Sequence, residues 1–218
     1  MRVIVLAAGQ GFQLDGFNKL LIRDPVDNKL IIEKYREAFD GMDLSIVLGY
    51  RAINVMNKYP DFDYVYNSDW AVTNNSYSLN LSLNDEPCYV ISGDLFIEPE
   101  LVTMLENSGP NLVLTKNRES RSLSALNVST DNNGYIQELY QGKLREPNDP
   151  EAIGIYKISS PEILKKWRRN CREYGNLFAG QNLPYDLKTP VVNVDIQGHR
   201  LDEINTPMDY IRLLNRVD

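Results

Sequence analysis

The sequence predicts an α/β fold: a doubly wound, mostly parallel sheet of Rossmann-like type, followed by an antiparallel excursion. Three observations predict it. Short apolar runs alternate with helically spaced ones through the first half of the chain, the first of these runs enters a glycine loop, and from residue 111 the pattern changes to closely spaced short strands separated by turn residues. At 218 residues the chain is long enough for one sizeable core, so a single domain over 1–218 is expected.

Val3, Ile4, Val5 and Leu6 form an unbroken apolar run, which suits a strand covered on both faces and starting almost at residue 2. Ala7 and Ala8 lead into Gly9 and Gly11, both expected to turn with positive φ and to bring backbone N–H groups close to a bulky anion. Lys19 follows at a distance over which a loop folds back. A strand running into a glycine loop with a downstream lysine suits the holding of polyphosphate. Asp24 to Asn28 reads as a turn, and Ile31, Ile32, Tyr35, Ala38 and Phe39 recur at helical spacing, giving a helix over about 29–40. Leu44 to Leu48 is a second strand ending at Gly49, residues 51–58 a short helix, and Tyr64 to Tyr66 a third strand.

The segment NSDWAVTNNSYSLNLSLN reads two ways. Tyr77, Leu79, Leu81 and Leu83 alternate with Ser and Asn, as in a strand, while the same residues pair at i,i+4 behind Thr73 or Asn74 as N-cap, as in a helix. Cys88 to Ser92 is a fourth buried strand, ending at Gly93-Asp94, and a helix follows at about 98–107. A carboxylate at that edge of a parallel sheet stands where open α/β folds bind ligands. Leu112 to Leu114, Leu123 to Val128, Tyr135 to Leu139 and Ala152 to Ile158 are strands, with Asp131 to Gly134 as a hairpin turn. Ser160-Pro161 caps a helix whose Ile163, Leu164 and Trp167 face inward and whose Lys165, Lys166, Arg168, Arg169 and Arg172 form a solvated face. Residues 174–189 are loop-like, Val191 to Ile196 is a late strand, His199 sits in a hairpin, and Thr206, Pro207 and Asp209 form a capping box.

A formal charge of −7, with no basic block beyond the short run at 165–172, argues against a nucleic-acid surface. No apolar run approaches the roughly 20 residues of a membrane span. The first strand begins at the N-terminus and leaves no room for a signal peptide, so the cytoplasm is the expected location. Cys88 and Cys171 are expected to be reduced core residues. With two isolated cysteines and one histidine, a histidine-activated nucleophile and a structural zinc site are both poorly supported.

The glycine loop matches neither a Walker motif nor a dinucleotide fingerprint, since Lys19 stands eight positions beyond Gly11 and Leu14 three. Leu6 to Lys19 instead resembles the LAAGxGxRL…PK motif of GT-A-like nucleotidyltransferases, reading LAAGQGFQL followed by Asn18-Lys19. Gln13 replaces the family's triphosphate-binding arginine and Asn18 its proline. Thr73-Asn74-Asn75, followed by Ser78-Leu79, resembles the TNN segment of the phosphocholine cytidylyltransferase group and its relatives acting on aminoethylphosphonate or other small phosphorylated acceptors. That segment is a helix in the group, so a helix is expected. Glu203 to Asp209 resembles the DIDTPED motif, with Asn205 where the family carries a metal-binding aspartate.

The resemblance implies transfer of CMP from CTP to a small phospho- or phosphono-acceptor, of phosphocholine, aminoethylphosphonate or amino-acid phosphate type, with release of pyrophosphate. It implies Lys19 and Asp94 as catalytic groups, and Mg2+ held by Asp94 with Glu203, Asp202 or Asn205. The nucleotide would be held by Leu6, Ala7, Ala8, Gly9, Gly11, Gln13, Lys19, Asn74, Asn75 and Gly93. The neutral Gln13 implies a higher apparent affinity constant for CTP. An aromatic and acidic acceptor site could come from Trp70, Tyr140, Tyr185 and Asp186. A homodimer is compatible with this reading, as is a role in making precursors of cell-surface polysaccharide or phospholipid. Two alternatives stay open: a sugar-1-phosphate or cofactor-precursor nucleotidyltransferase of the same fold, and a non-catalytic nucleotide-binding domain.

Overall fold

The computed structural model describes residues 1–117, 121–185 and 188–215. Its strands are β1 (Arg2–Ala7), β2 (Asp43–Leu48), β3 (Asp63–Tyr66), β4 (Cys88–Ser92), β5 (Leu95–Ile97), β6 (Asn111–Lys116), β7 (Leu126–Thr130), β8 (Ile136–Gln141), β9 (Glu151–Ile158), β10 (Val192–Asp195) and β11 (Leu201–Glu203). Its helices are α1 (Ile31–Ala38), α2 (Ala52–Lys58), α3 (Asn75–Ser82), α4 (Pro99–Asn107), α5 (Pro161–Glu173) and α6 (Pro207–Leu214). The main sheet runs β10-β6-β9-β4-β1-β2-β3, with β7 and β8 added beside β9. β1 pairs in parallel with β2 and β4, β2 with β3, and β10 with β6, while β9 runs antiparallel between β4 and β6. The expected mixed architecture is therefore present.

Successive β1 side chains enter different cores, as expected of a strand covered on both faces. Val3 and Val5 pack with α1, α2 and α4 on one side of the sheet, and Ile4 packs with Leu79 of α3 and Trp167 of α5 on the other. Cys88 and Cys171 are free thiols in the second core, and burial pushes both up to about 12.

α3 is a helix, so the period-2 alternation at 77–83 misleads. Its inward face carries Ser76, Ser78 and Ser82 beside Leu79. Asn182 Nδ2 donates to Ser76 Oγ at 2.8 Å and Asn67 Nδ2 to Ser78 Oγ at 3.0 Å. Serines that bond across to other elements bury themselves without an apolar stripe.

Several boundaries differ from expectation. The strand expected at Leu123 starts three residues later, at Leu126, because Ser124 N–H bonds to Ser122 Oγ and Ala125 N–H to the Ser122 carbonyl in a turn. The His199 turn is not a hairpin: Gln197 and Gly198 take φ of 52° and 78°, but β10 pairs with β6 and β11 with β5. That β5–β11 ribbon is a separate two-stranded sheet that the sequence reading missed. It pairs Leu201 with Ile97 and Glu203 with Leu95.

Candidate active site

The C-terminal ends of β1 and β4 lie side by side, and Gly93 N–H donates to the Leu6 carbonyl at 3.0 Å. A Cβ on Gly93 would fall 2.6 Å from the Ala7 Cβ and 2.9 Å from the Leu6 oxygen. Only glycine lets Asp94 follow directly on a strand end packed that closely. Gly93→Ala is expected to destabilise by about 1–3 kcal/mol, as overpacking does, a difference readable in urea unfolding curves.

In the loop after β1, Gly11 takes φ 60°, but Gly9 does not have positive φ, which corrects that expectation. A Cβ on Gly9 would meet nothing within 4 Å. Gly9 keeps space open instead: it lines a recess of about 200 Å³ together with Leu6, Ala7, Gly11, Lys19, Asn75, Gly93 and Asp94. Asn18, in the place of the family's proline, caps the turn that presents Lys19, its Oδ1 accepting from Leu20 N–H at 3.1 Å.

Lys19 Nζ donates to Asp94 Oδ2 at 2.9 Å and to Asn205 Oδ1 at 2.6 Å. Asn205 Nδ2 in turn donates to Glu203 Oε1 at 2.8 Å. The β5–β11 ribbon brings these residues together, since Glu203 pairs with Leu95 and Ile204 N–H donates to the Asp94 carbonyl at 2.9 Å. Thr206 and Asp209 form the expected capping box, whose Asp209 Oδ2 also accepts from Asn205 N–H at 3.1 Å. The cap therefore also fixes the backbone that carries Asn205.

Asp94 Oδ1 is shielded from solvent and accepts no hydrogen bond from the described residues. A shielded carboxylate oxygen without a donor, close to the acidic Glu203, is a hard-oxygen environment that fits a magnesium ion. Among the described residues no three or more His, Cys, Asp or Glu side chains cluster to hold a metal. Water and ligand oxygens would have to complete the coordination.

A cavity of about 600 Å³ opens beside this cluster. Leu6, Gln13, Asn75, Asp94, Glu203 and Asn205 line one part of it, and Arg121, Ser122, Ser124, Glu151, Tyr156 and Phe178 line another. Asn75, the first residue of α3, lines this cavity and two adjoining recesses, and its Oδ1 accepts from Ala179 N–H at 2.7 Å. Asn74 caps α3 through its side-chain oxygen, which accepts from Asn75 N–H. Ala8 and Asn74 line the smaller recess of about 70 Å³ with Gly9 and Trp70. The expected nucleotide-site residues thus line three recesses that share Leu6 and Asn75, at the C-terminal edge of β1 and β4.

Among the described residues, those expected to form an aromatic acceptor site each have separate partners. Trp70 stands beside the glycine loop, edge-on to Tyr50 with ring centroids 5.0 Å apart. Tyr140 is buried, its hydroxyl donates to Asp149, and the Arg145 guanidinium covers its ring at 4.0 Å. Tyr185 packs against the second core, and its hydroxyl accepts from Leu139 N–H at 3.1 Å. Asp186 lies outside the described residues. Sequence reasoning missed Arg121, Glu151, Phe178 and Arg212 as cavity residues. Glu151 carried a legible signal, a carboxylate opening a mostly apolar strand.

No protein-family model matches the chain, and no curated protein sequence matches it. Solved structures do. The CTP:phosphocholine cytidylyltransferase from Streptococcus pneumoniae superposes with a TM-score of 0.76 at 20% identity, over 100% of this chain and 99% of that one. The inositol-1-phosphate CTP transferase from T. maritima gives 0.73 at 19% identity, over 99% and 95%. A nucleoside-diphosphate-sugar pyrophosphorylase from Vibrio cholerae RC9 gives 0.69 at 11% identity, over 99% and 100%. The fold of this chain is thus shared almost from end to end with these nucleotidyl-transferring enzymes.

Proposed function

We propose that the protein is a magnesium-dependent cytidylyltransferase that moves CMP from CTP to a small phosphorylated or phosphonylated acceptor and releases pyrophosphate. The observation that carries the reading is the chain of contacts Asp94–Lys19–Asn205–Glu203 beside the glycine loop, facing a cavity of about 600 Å³. Two of the structurally similar enzymes are CTP-dependent by name.

In this reading an oxygen of the acceptor's phosphate attacks the α-phosphorus of CTP, the bond from that phosphorus to the β-phosphate bridge oxygen breaks, and pyrophosphate leaves. The attacking oxygen is anionic near neutral pH, so no strong general base is needed. His199 accordingly lies in the turn between β10 and β11 and is not among the residues lining the cavity. The chemistry needs charge neutralisation and alignment. Lys19 supplies a fixed cation, and the loop N–H groups from Gly9 to Gly11 orient the departing phosphates. The cation missing at Gln13 is offset by Arg121 and Arg212, which line the same cavity. Asp94 and Glu203 would hold the magnesium, which when bound neutralises phosphate charge and polarises the α-phosphate.

Pyrophosphate release is the test, with magnesium and each of CTP, ATP, GTP and UTP against phosphocholine, aminoethylphosphonate, amino-acid phosphates and sugar 1-phosphates. Turnover with CTP and one small acceptor is expected. Turnover confined to another nucleotide with a sugar 1-phosphate would move the assignment to the related enzyme class. Nucleotide binding without release for any acceptor would leave a binding domain.

A further inference from the structure

Tyr35 lies on α1, outside every motif that marks the site, and is fully buried. Its hydroxyl donates to the Ser92 carbonyl at 2.8 Å and accepts from Leu95 N–H at 3.2 Å. One side-chain oxygen therefore ties together the two ends of the Gly93-Asp94 turn. The Asp94 carbonyl is held separately by Ile204 N–H at 2.9 Å. Lys19 holds only Oδ2 of the carboxylate, and Oδ1 stays shielded without a donor.

Packing alone gives no reason for that hydroxyl. Phe39, just past the end of the same helix, fills its part of this core against Tyr89 with ring centroids 5.3 Å apart. A polar group buried this deeply costs free energy unless it is bonded, and here both bonds go to the turn that carries Asp94.

We propose that Tyr35 is a positioning residue for Asp94: by bracing Ser92 against Leu95, its hydroxyl holds the turn so that the shielded carboxylate oxygen is presented to a divalent cation. The proposal rests on the magnesium-dependent reading above. Phenylalanine at this position keeps the ring and leaves one carbonyl and one N–H unpartnered, so the turn relaxes without a cavity forming. Residues that orient metal ligands from behind typically change metal affinity or activity by about 10–100-fold when altered.

The experiment compares the wild-type protein with Tyr35→Phe and Tyr89→Phe. The Tyr89 hydroxyl is also buried in this core but has no hydrogen-bond partner among the described residues, so its removal controls for loss of a buried phenol. Mn2+ binding in the presence of CTP is read by paramagnetic resonance, the magnesium dependence of pyrophosphate release by titration, and folding by circular dichroism melting. Tyr35→Phe is expected to weaken Mn2+ binding and raise the half-saturating magnesium concentration by about tenfold each, with KM for CTP unchanged at saturating magnesium. Tyr89→Phe is expected to move neither. If Tyr35→Phe is too unstable to assay, 4-fluorophenylalanine at position 35, which keeps nearly the shape of tyrosine but has no proton to donate to the Ser92 carbonyl, is expected to shift metal affinity in the same direction. Wild-type metal affinity in the altered protein, with or without a lower melting temperature, overturns the proposal alone. Silence of the wild-type protein in both the binding and release assays overturns the functional reading, and the proposal with it.

Discussion

Asp94→Asn is expected to lower the turnover number for pyrophosphate release by about 1,000-fold, at the upper end of what removal of one charge-stabilising group costs. The change keeps the side chain's size, so the loss would report charge rather than shape. An amide at this position still offers one oxygen to Lys19, but it puts an N–H2 group near where the shielded, donor-free Oδ1 now stands. The negative charge that balances Lys19 disappears, and with it the carboxylate to which the proposed function assigns the magnesium. Folding should survive, because Lys19 and Asp94 are 21% and 18% exposed and water can take over part of the lysine's solvation. Steady-state kinetics beside a urea unfolding curve separates the two effects. Turnover within tenfold of wild type would show that the transfer does not depend on this carboxylate. Lys19→Met should cost less, about 100-fold, because in the proposed reaction Arg121 and Arg212, which line the cavity beside the recess of Lys19, still offset phosphate charge.

The sequence made Asp94 and Lys19 legible because both stand in contiguous motifs, a strand end and a glycine loop. It could not show what joins them. Leu95 to Ile97 and Leu201 to Glu203 are strands of three residues each, too short to reveal a period, and each pairs only with the other across more than a hundred residues of chain. That ribbon decides which of the carboxylates near the C-terminus reaches the site. Glu203 goes to the Asn205 amide and the cavity, whereas Asp202 goes to Arg200 at 3.0 Å. Trp70, Tyr140 and Tyr185 have separate partners for a related reason. Tyr and Trp look alike in sequence whether they line a pocket or fill a core, and the hydroxyls of Tyr140 and Tyr185 are both used inside the fold. Tyr35 was read as one apolar position of a helix. What sets it apart is its oxygen, whose partners are 57 and 60 residues away.

Lys34→Met is expected to destabilise the fold by about 3–5 kcal/mol, the usual cost of removing one partner from a buried charge cluster. Lys34 is 2% exposed on α1, and its ammonium meets Asp24 at 3.1 Å, Asp27 at 2.9 Å and Glu98 at 2.9 Å. Burial pulls its pKa down, but the bonds to Glu98, Asp27 and Asp24 outweigh this and raise it above the ordinary 10.5. Methionine fills the same space and leaves those three carboxylates facing one another. Arg200 then remains as the cation on Asp24 and Glu98 among the described residues, at 3.0 and 3.2 Å, and it is shared with Asp202. The pH dependence follows from Asp24. Burial raises its pKa, but the hydrogen bond from Arg200, with those from Val26 N–H and Lys34, brings it below the ordinary 3.8. A carboxylate with a depressed folded value contributes stability that is present above its unfolded value and lost as pH falls through the folded one. The stability gap between wild type and Lys34→Met should therefore be full at neutral pH and close below about pH 3.8, where protonation removes the charges that the lysine balances. Urea unfolding of both proteins at neutral pH and across the acid range tests both statements. A gap under 1 kcal/mol at neutral pH would mean that Arg200 alone neutralises the cluster. A gap that persists unchanged into acid would mean that Lys34 acts through the packing of its aliphatic stem rather than through its charge.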